Sequence, residues 1–229
     1  QMNAPDGGES QDGFGRAVAS NGQQLIVGSG PKNTAYIYSR NSDGGWDAGT
    51  ALTASDLSEG DNFGGKVAIG NGFAAVAATG MNETAGAVYV FRFTDGAWVQ
   101  EAMLAPEGLT AGANYGYALL AGDHTLLVGA PARAVGGFSR EEITEVGAVY
   151  SYRYEDGAWS DAEQIGPQGV SEGGAFGGSL SASGNRIAVG APMDNQGAGS
   201  VSLFEWDAES SSYANDGRLA PFVAGRSQF

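Results

Sequence analysis

The chain contains no cysteine, a single histidine (His124) and only 11 basic residues against 26 acidic ones. Each shortage excludes a class of protein. Without cysteine there is no disulfide framework, no thiol nucleophile and no cysteine-bound zinc. One histidine cannot build a multi-histidine metal site. A formal charge of −15 leaves no clustered Lys and Arg to neutralise a phosphate backbone, so no nucleic-acid partner is expected. No apolar run approaches the roughly 18 residues a spanning helix needs, so membrane insertion by a helix is not expected either. A hydrophobic fraction of 42% is enough to bury a core, which argues against plain disorder. What the chain has in excess is glycine, 39 of 229 residues, well above the usual level of about 7%.

Glycine at this density without a Gly-X-Y period marks turns and close backbone contacts rather than collagen. The glycines fall into a repeat. An aromatic-glycine pair occurs four times, at Phe14-Gly15, Phe63-Gly64, Tyr115-Gly116 and Phe176-Gly177, with spacings of 49, 52 and 61 residues. Four residues after each aromatic stands Val18, Val67, Leu119 or Leu180, and thirteen after stands Val27, Val76, Val128 or Val189. Eleven before the last three anchors stand Leu52, Leu104 and Ile165, and Leu219 continues that series.

Each unit reads as four short strands. The first follows the anchor and ends in Asn21-Gly22, Asn71-Gly72, Gly122-Asp123 or Gly184-Asn185, pairs suited to tight hairpin turns. A second runs into Val27-Gly28, Val128-Gly129-Ala130-Pro131 or Val189-Gly190-Ala191-Pro192. The third alternates, as in Ala87-Val88-Tyr89-Val90-Phe91, the period-two strand signature. Asp95-Gly96 and Asp156-Gly157 then turn into a fourth strand opened by Trp46, Trp98, Trp159 or, in unit four, Tyr213, which puts Trp206 level with Phe93 and Tyr154. No helical period exceeds one turn. Repetition of a four-stranded meander about every 50 residues predicts an all-β protein, a β-propeller of four-stranded antiparallel blades, in preference to a sandwich. Gly28, Gly129 and Gly190 are expected to admit a neighbouring backbone near a crowded axis, and Gly86, Gly147 and Gly199 to start the third strands.

These motifs resemble the FG-GAP repeat, the unit of integrin α-subunit propeller heads and of many exported bacterial proteins, and most closely its bacterial subtype with short first hairpins. The likeness covers nearly the whole chain. It implies an extracellular, cell-surface or periplasmic protein, non-catalytic, that takes a protein or carbohydrate ligand through the strand 2–3 and 4–1 loops of one face. The family's calcium loop lies between strands one and two. Here those loops are two-residue turns without paired carboxylates, so no metal and no cofactor is expected.

The chain reads as one domain, residues 1–229, with blades at approximately 12–53, 61–105, 113–166 and 174–221. Four complete units favour a ring closed by this chain alone. The longer rings of the family favour a larger array or two chains sharing blades, so a homo-oligomer stays open.

The main irregularity is the strand 2–3 loop of unit three, with 21 residues from Val128 to Val149 against 12 between the matching valines of units two and four. Function collects on loops held by a rigid scaffold, so Arg133, Phe138, Arg140, Glu141 and Glu142 are the candidate ligand-binding residues, with Phe138 and Arg140 foremost. Long surface loops also cost little, which makes a tolerated insertion the competing reading. No catalytic residue is expected. His124 sits by a tight turn away from that loop, and Glu141-Glu142 on a loop do not hold the fixed separation that glycoside cleavage needs. A polysaccharide-acting enzyme or a structural spacer is the alternative function. Asp12, Asp61 with Glu59, and Asp194-Asn195 each offer too few ligands for a cation site. The tryptophans are expected to pack rather than to stack on sugar.

Overall fold

The computed structural model describes residues 3–132 and 145–221, which form four antiparallel meanders. The first sheet is β1 (Ala17–Ser20), β2 (Gln24–Ser29), β3 (Thr34–Ser39) and β4 (Thr50–Leu52). The second is β5 (Phe63–Ile69), β6 (Phe73–Ala78), β7 (Ala87–Thr94) and β8 (Ala97–Leu104). The third is β9 (Ala118–Ala121), β10 (Thr125–Ala130) and β11 (Ala148–Glu155), with its outer strand divided into β12 (Ala158–Trp159) and β13 (Glu163–Ile165). The fourth is β14 (Ser179–Ser183), β15 (Arg186–Ala191), β16 (Ser200–Asp207) and β17 (Ser212–Leu219). Among the described residues helix is confined to single turns between second and third strands, at Gly30–Lys32, Met81–Thr84 and Asp194–Gly197.

Sequence dictates each hairpin locally. Asp95-Gly96 and Asp156-Gly157 carry φ values of 52° and 82°, and 53° and 84°, the paired positive angles of a two-residue primed turn that twists with its strands. The registers Phe93↔Trp98, Tyr154↔Trp159 and Trp206↔Tyr213 place Tyr213 where the sequence pattern does.

Alternate residues of the inner strands fill the spaces between sheets. Ile26, Ile37 and Leu52 meet Phe63, Val76 and Tyr89 between the first and second sheets. Phe73, Val88 and Leu104 meet Tyr115, Val128 and Tyr152 between the second and third. Leu127, Val149 and Ile165 meet Phe176, Val189 and Phe204 between the third and fourth. The anchor aromatic is the centre of each junction: Phe63, Tyr115 and Phe176 are fully buried, with rings edge-on to Tyr89, Tyr150 and Phe204. The glycine after each anchor is obligatory twice over. Gly64, Gly116 and Gly177 have φ of 92°, 92° and 89°, and a Cβ on Gly64 would overlap the Thr34 carbonyl of the preceding sheet. The second-strand glycines behave as expected at two positions. The space a Cβ would take at Gly28 is filled by the Gly64 carbonyl, and at Gly129 by the Gly177 carbonyl.

The outer faces of the first and fourth sheets depart from that pattern. Phe14 is 37% exposed although its three counterparts are fully buried, and Val18 is 63% exposed against 9% for Val67. Leu219 is 60% exposed, whereas Leu52, Leu104 and Ile165 are buried. A Cβ on Gly190 would touch only Ser179 of its own sheet. Among the described residues no hydrophobic cluster joins the first sheet to the fourth. The expected ring closed by this chain alone is therefore not formed among them. The outer face of the first sheet is instead covered by the segment before Phe14. Ala4 packs on Val27, Tyr36 and Tyr38, the Tyr36 hydroxyl donates to Asp6 (2.8 Å), and Lys32 bridges Asp6 and Asp12.

Candidate functional site

Strand 2–3 loops and inter-sheet linkers meet at one end of the molecule, tied by backbone hydrogen bonds. The amides of Gly112, Asn114 and Tyr115 donate to the carbonyls of Glu83, Thr84 and Ala85, and those of Gly173 and Phe176 to Glu145 and Val146. In unit one a side chain makes the same tie. Asn33 donates through Nδ2 to the Ser58 carbonyl (2.6 Å) and accepts from the Phe63 amide (2.9 Å). The loops carry strain. Asn82, Glu83 and Thr84 have consecutive φ values of 51°, 57° and 64°, and Asn195 and Gln196 repeat the left-handed turn in unit four at 49° and 61°. Such backbone persists only where its surroundings over-determine it, and it clusters at functional loops.

At this end a cavity of about 340 Å³ opens between the linker that follows the second sheet and the third sheet. Leu109 and Thr110 of the linker form one wall, and Glu145, Val146 and Tyr150 the other. The Thr110 hydroxyl donates to Glu145 (2.9 Å), across the mouth. Burial, helped by the nearby Glu145 charge, pushes the Tyr150 hydroxyl up from its ordinary pKa. The lining is mixed polar and apolar with one carboxylate, which suits binding better than proton transfer. Arg133, Phe138, Arg140, Glu141 and Glu142 lie outside the described residues. Glu145, the first described residue after them, lines this cavity.

The other singled-out residues have structural occupations. Asp12 and Asp61 accept from the amides of Glu9 (2.8 Å) and Ser58 (2.7 Å), closing the linker turn two residues before the anchor. Unit four has Gly174 at that position, and Asp194 replaces the missing carboxylate from the strand 2–3 loop. It accepts from the Ser171 amide (3.0 Å) and hydroxyl (2.7 Å), the Asn195 amide (2.8 Å), Ser200 Oγ (2.5 Å) and Arg218. Its side chain is 1% exposed. Burial alone would raise its pKa, but the Ser200, Ser171 and Arg218 donors outweigh that and hold the carboxyl far below the usual range. Among the described residues no three of His, Asp and Glu cluster to hold a metal.

The tryptophans pack, as expected of them. Trp159 stands edge-on to Phe73 at 4.9 Å, and its indole N–H donates to Glu101 (2.9 Å). His124 is at the opposite end from the long loop, its carbonyl accepting from the Tyr154 amide (2.8 Å). A repeated device at that outer edge was not foreseen: Arg92 lies over the Tyr154 ring at 3.6 Å and Arg153 over Trp206 at 4.3 Å, each third strand capping an aromatic of the next sheet. The signal was present in the shared register of Arg92 and Arg153, one residue before Phe93 and Tyr154.

The family model described as FG-GAP repeat matches this chain twice, at residues 46–91 and 159–204. No curated protein matches it. Solved structures share its fold, two of them as follows. One, from Bacteroides uniformis, is provisionally assigned as a 6-phosphogluconolactonase; at 12% identity and a TM-score of 0.53 the match covers 90% of this chain and 57% of that one. The other, a protein from Lactobacillus plantarum, matches at 12% identity and a TM-score of 0.55, over 91% of this chain and 56% of that one. The chain thus spans little more than half the length of either, and likeness at this identity speaks for the fold alone.

Proposed function

We propose that this FG-GAP repeat propeller is a non-catalytic recognition module of an exported or cell-surface protein, binding a protein or a glycan where its strand 2–3 loops and linkers meet. One observation carries the reading. The third sheet and the linker before it frame a recess, and Glu145, the first described residue after the long loop of unit three, lines it, on a scaffold where function collects at loops. Phe138 and Arg140 are the contacts such a loop would offer, since aromatics and arginine supply most interface energy. The test is an array of proteins and glycans probed with the chain and with a variant lacking residues 138–142. Binding should vanish in the variant while its melting temperature holds. Binding that persists undiminished would remove the loop from the site.

Polysaccharide cleavage by acidic residues near the central channel is the second reading. The enzymatic assignment of the Bacteroides uniformis protein belongs to that protein. Polysaccharide turnover by this chain, lost in Glu141→Gln or Glu142→Gln, would put catalysis in place of recognition.

A further inference from the structure

The end opposite the long loop carries a second recess, a groove of about 630 Å³ where the first hairpins of units one, two and three converge. Its walls include Gln23 and Gln24 of unit one, Asn71 and Phe93 of unit two, and Asp123 of unit three. The hairpins of units one and two are tied to each other, because Asn21 Nδ2 donates to the Gly70 carbonyl of the neighbouring sheet (3.0 Å). The wall is therefore pre-formed rather than assembled by a ligand.

Phe93 breaks the repeat. Its counterparts Tyr154 and Trp206 each lie under an arginine of the preceding sheet, Arg92 and Arg153. The residue in that register on the first sheet is Ser39, paired with Gln24 as Arg92 is with Phe73 and Arg153 with Thr125. Serine is too short to cover the ring, and Phe93 stays 48% exposed while Trp98 supports it from behind at 5.5 Å. An uncovered aromatic thus borders a groove edged by amides and one carboxylate, with no cation in its lining.

We infer that this groove binds a neutral carbohydrate, independently of the loop-bearing end. The chemistry selects that class. Asn and Gln amides each present a donor and an acceptor, which suits neighbouring hydroxyls of a sugar ring, and Asp123 adds a further acceptor. The face of Phe93 suits the apolar C–H face of a pyranose. Phosphorylated or carboxylated sugars are disfavoured, because the lining offers no Lys or Arg to pair with them while Asp123 repels them.

The test is calorimetric titration of the full chain with neutral glucose-, mannose- and galactose-based tetrasaccharides, with sialyllactose and glucose 6-phosphate as charged controls. At least one neutral oligosaccharide should bind in the millimolar range or tighter. Phe93→Ala and Gln23→Ala should each weaken that binding about tenfold, in keeping with the loss of one or two good contacts. Ser39→Arg should abolish it by restoring the cap found in the other units, with no loss of melting temperature. Deletion of residues 138–142 should leave it unchanged, which separates this site from the one proposed above. Absence of binding to every neutral oligosaccharide, binding indifferent to Phe93→Ala and Ser39→Arg, or equal binding of the charged sugars would each overturn the inference.

Discussion

Asp194 offers the most direct measurement of how unit four is held. Replacing it with alanine leaves the Ser171 amide, the Ser171 and Ser200 hydroxyls and the Arg218 guanidinium without their common acceptor. Removing one partner of a buried ion pair costs about 3–5 kcal/mol. Arg218 is 28% exposed and recovers some hydration, which places the expected loss near the lower end, about 3 kcal/mol. In a chain of this size that is a fall in melting temperature of roughly 6–12 °C. Asp194→Asn keeps the shape and still accepts from Ser171, but its amide faces Arg218 donor to donor, so it should lose less than alanine at pH 7. The pH dependence follows from the direction of the shift. The folded carboxyl is held below its ordinary value of 3.8, so its contribution is fully present above that value and is lost as pH falls below it. Denaturant unfolding of wild type and Asp194→Asn between pH 7 and pH 3 should therefore show a gap that is constant at the upper end and narrows below about pH 4. A gap that does not change with pH, or variants indistinguishable from wild type at pH 7, would refute the account.

Two further predictions concern the junctions. Phe63→Ala and Phe176→Ala should each cost about 3–5 kcal/mol, while Phe14→Ala, cut from a ring already 37% exposed, should cost clearly less; equal losses in urea unfolding would contradict the burial pattern. Gly28→Ala and Gly129→Ala should destabilise by roughly 1–3 kcal/mol or more, because a methyl must displace the next sheet's carbonyl, whereas Gly190→Ala has only the movable Ser179 side chain to push aside and should be near neutral by the same assay.

Most of the architecture is legible in the sequence because each unit repeats its own instructions. The Val27, Val76, Val128 and Val189 register fixes the second strands, the Asp-Gly pairs fix the turns, and the Trp206↔Tyr213 pairing follows by counting from Leu219. The network around Asp194 is not legible in that way. Its partners Ser171 and Arg218 are 23 and 24 residues away on opposite sides, and only the meander brings them together. The one sequence cue was a gap, Gly174 standing where units one and two have Asp12 and Asp61. The groove beside Phe93 was missed for a similar reason: a motif search looks for what recurs, and Ser39 matters as the place where an arginine does not. Ring closure is not legible either, because completeness of units says nothing about whether the first and last faces meet.

Those two unjoined faces also set how the molecule comes apart. Among the described residues the sheets pack only on their sequence neighbours, and such sheets behave as sites on a one-dimensional lattice, where each inner site has two couplings and each end site has one. Thermal opening should begin at the fourth sheet, whose outer face carries the exposed Leu219, and travel inward. The first sheet is partly protected by the clasp of Asp6, Lys32 and Tyr36. A lesion at the junction between the second and third sheets would then do something an end lesion cannot, dividing one cooperative unfolding transition into two.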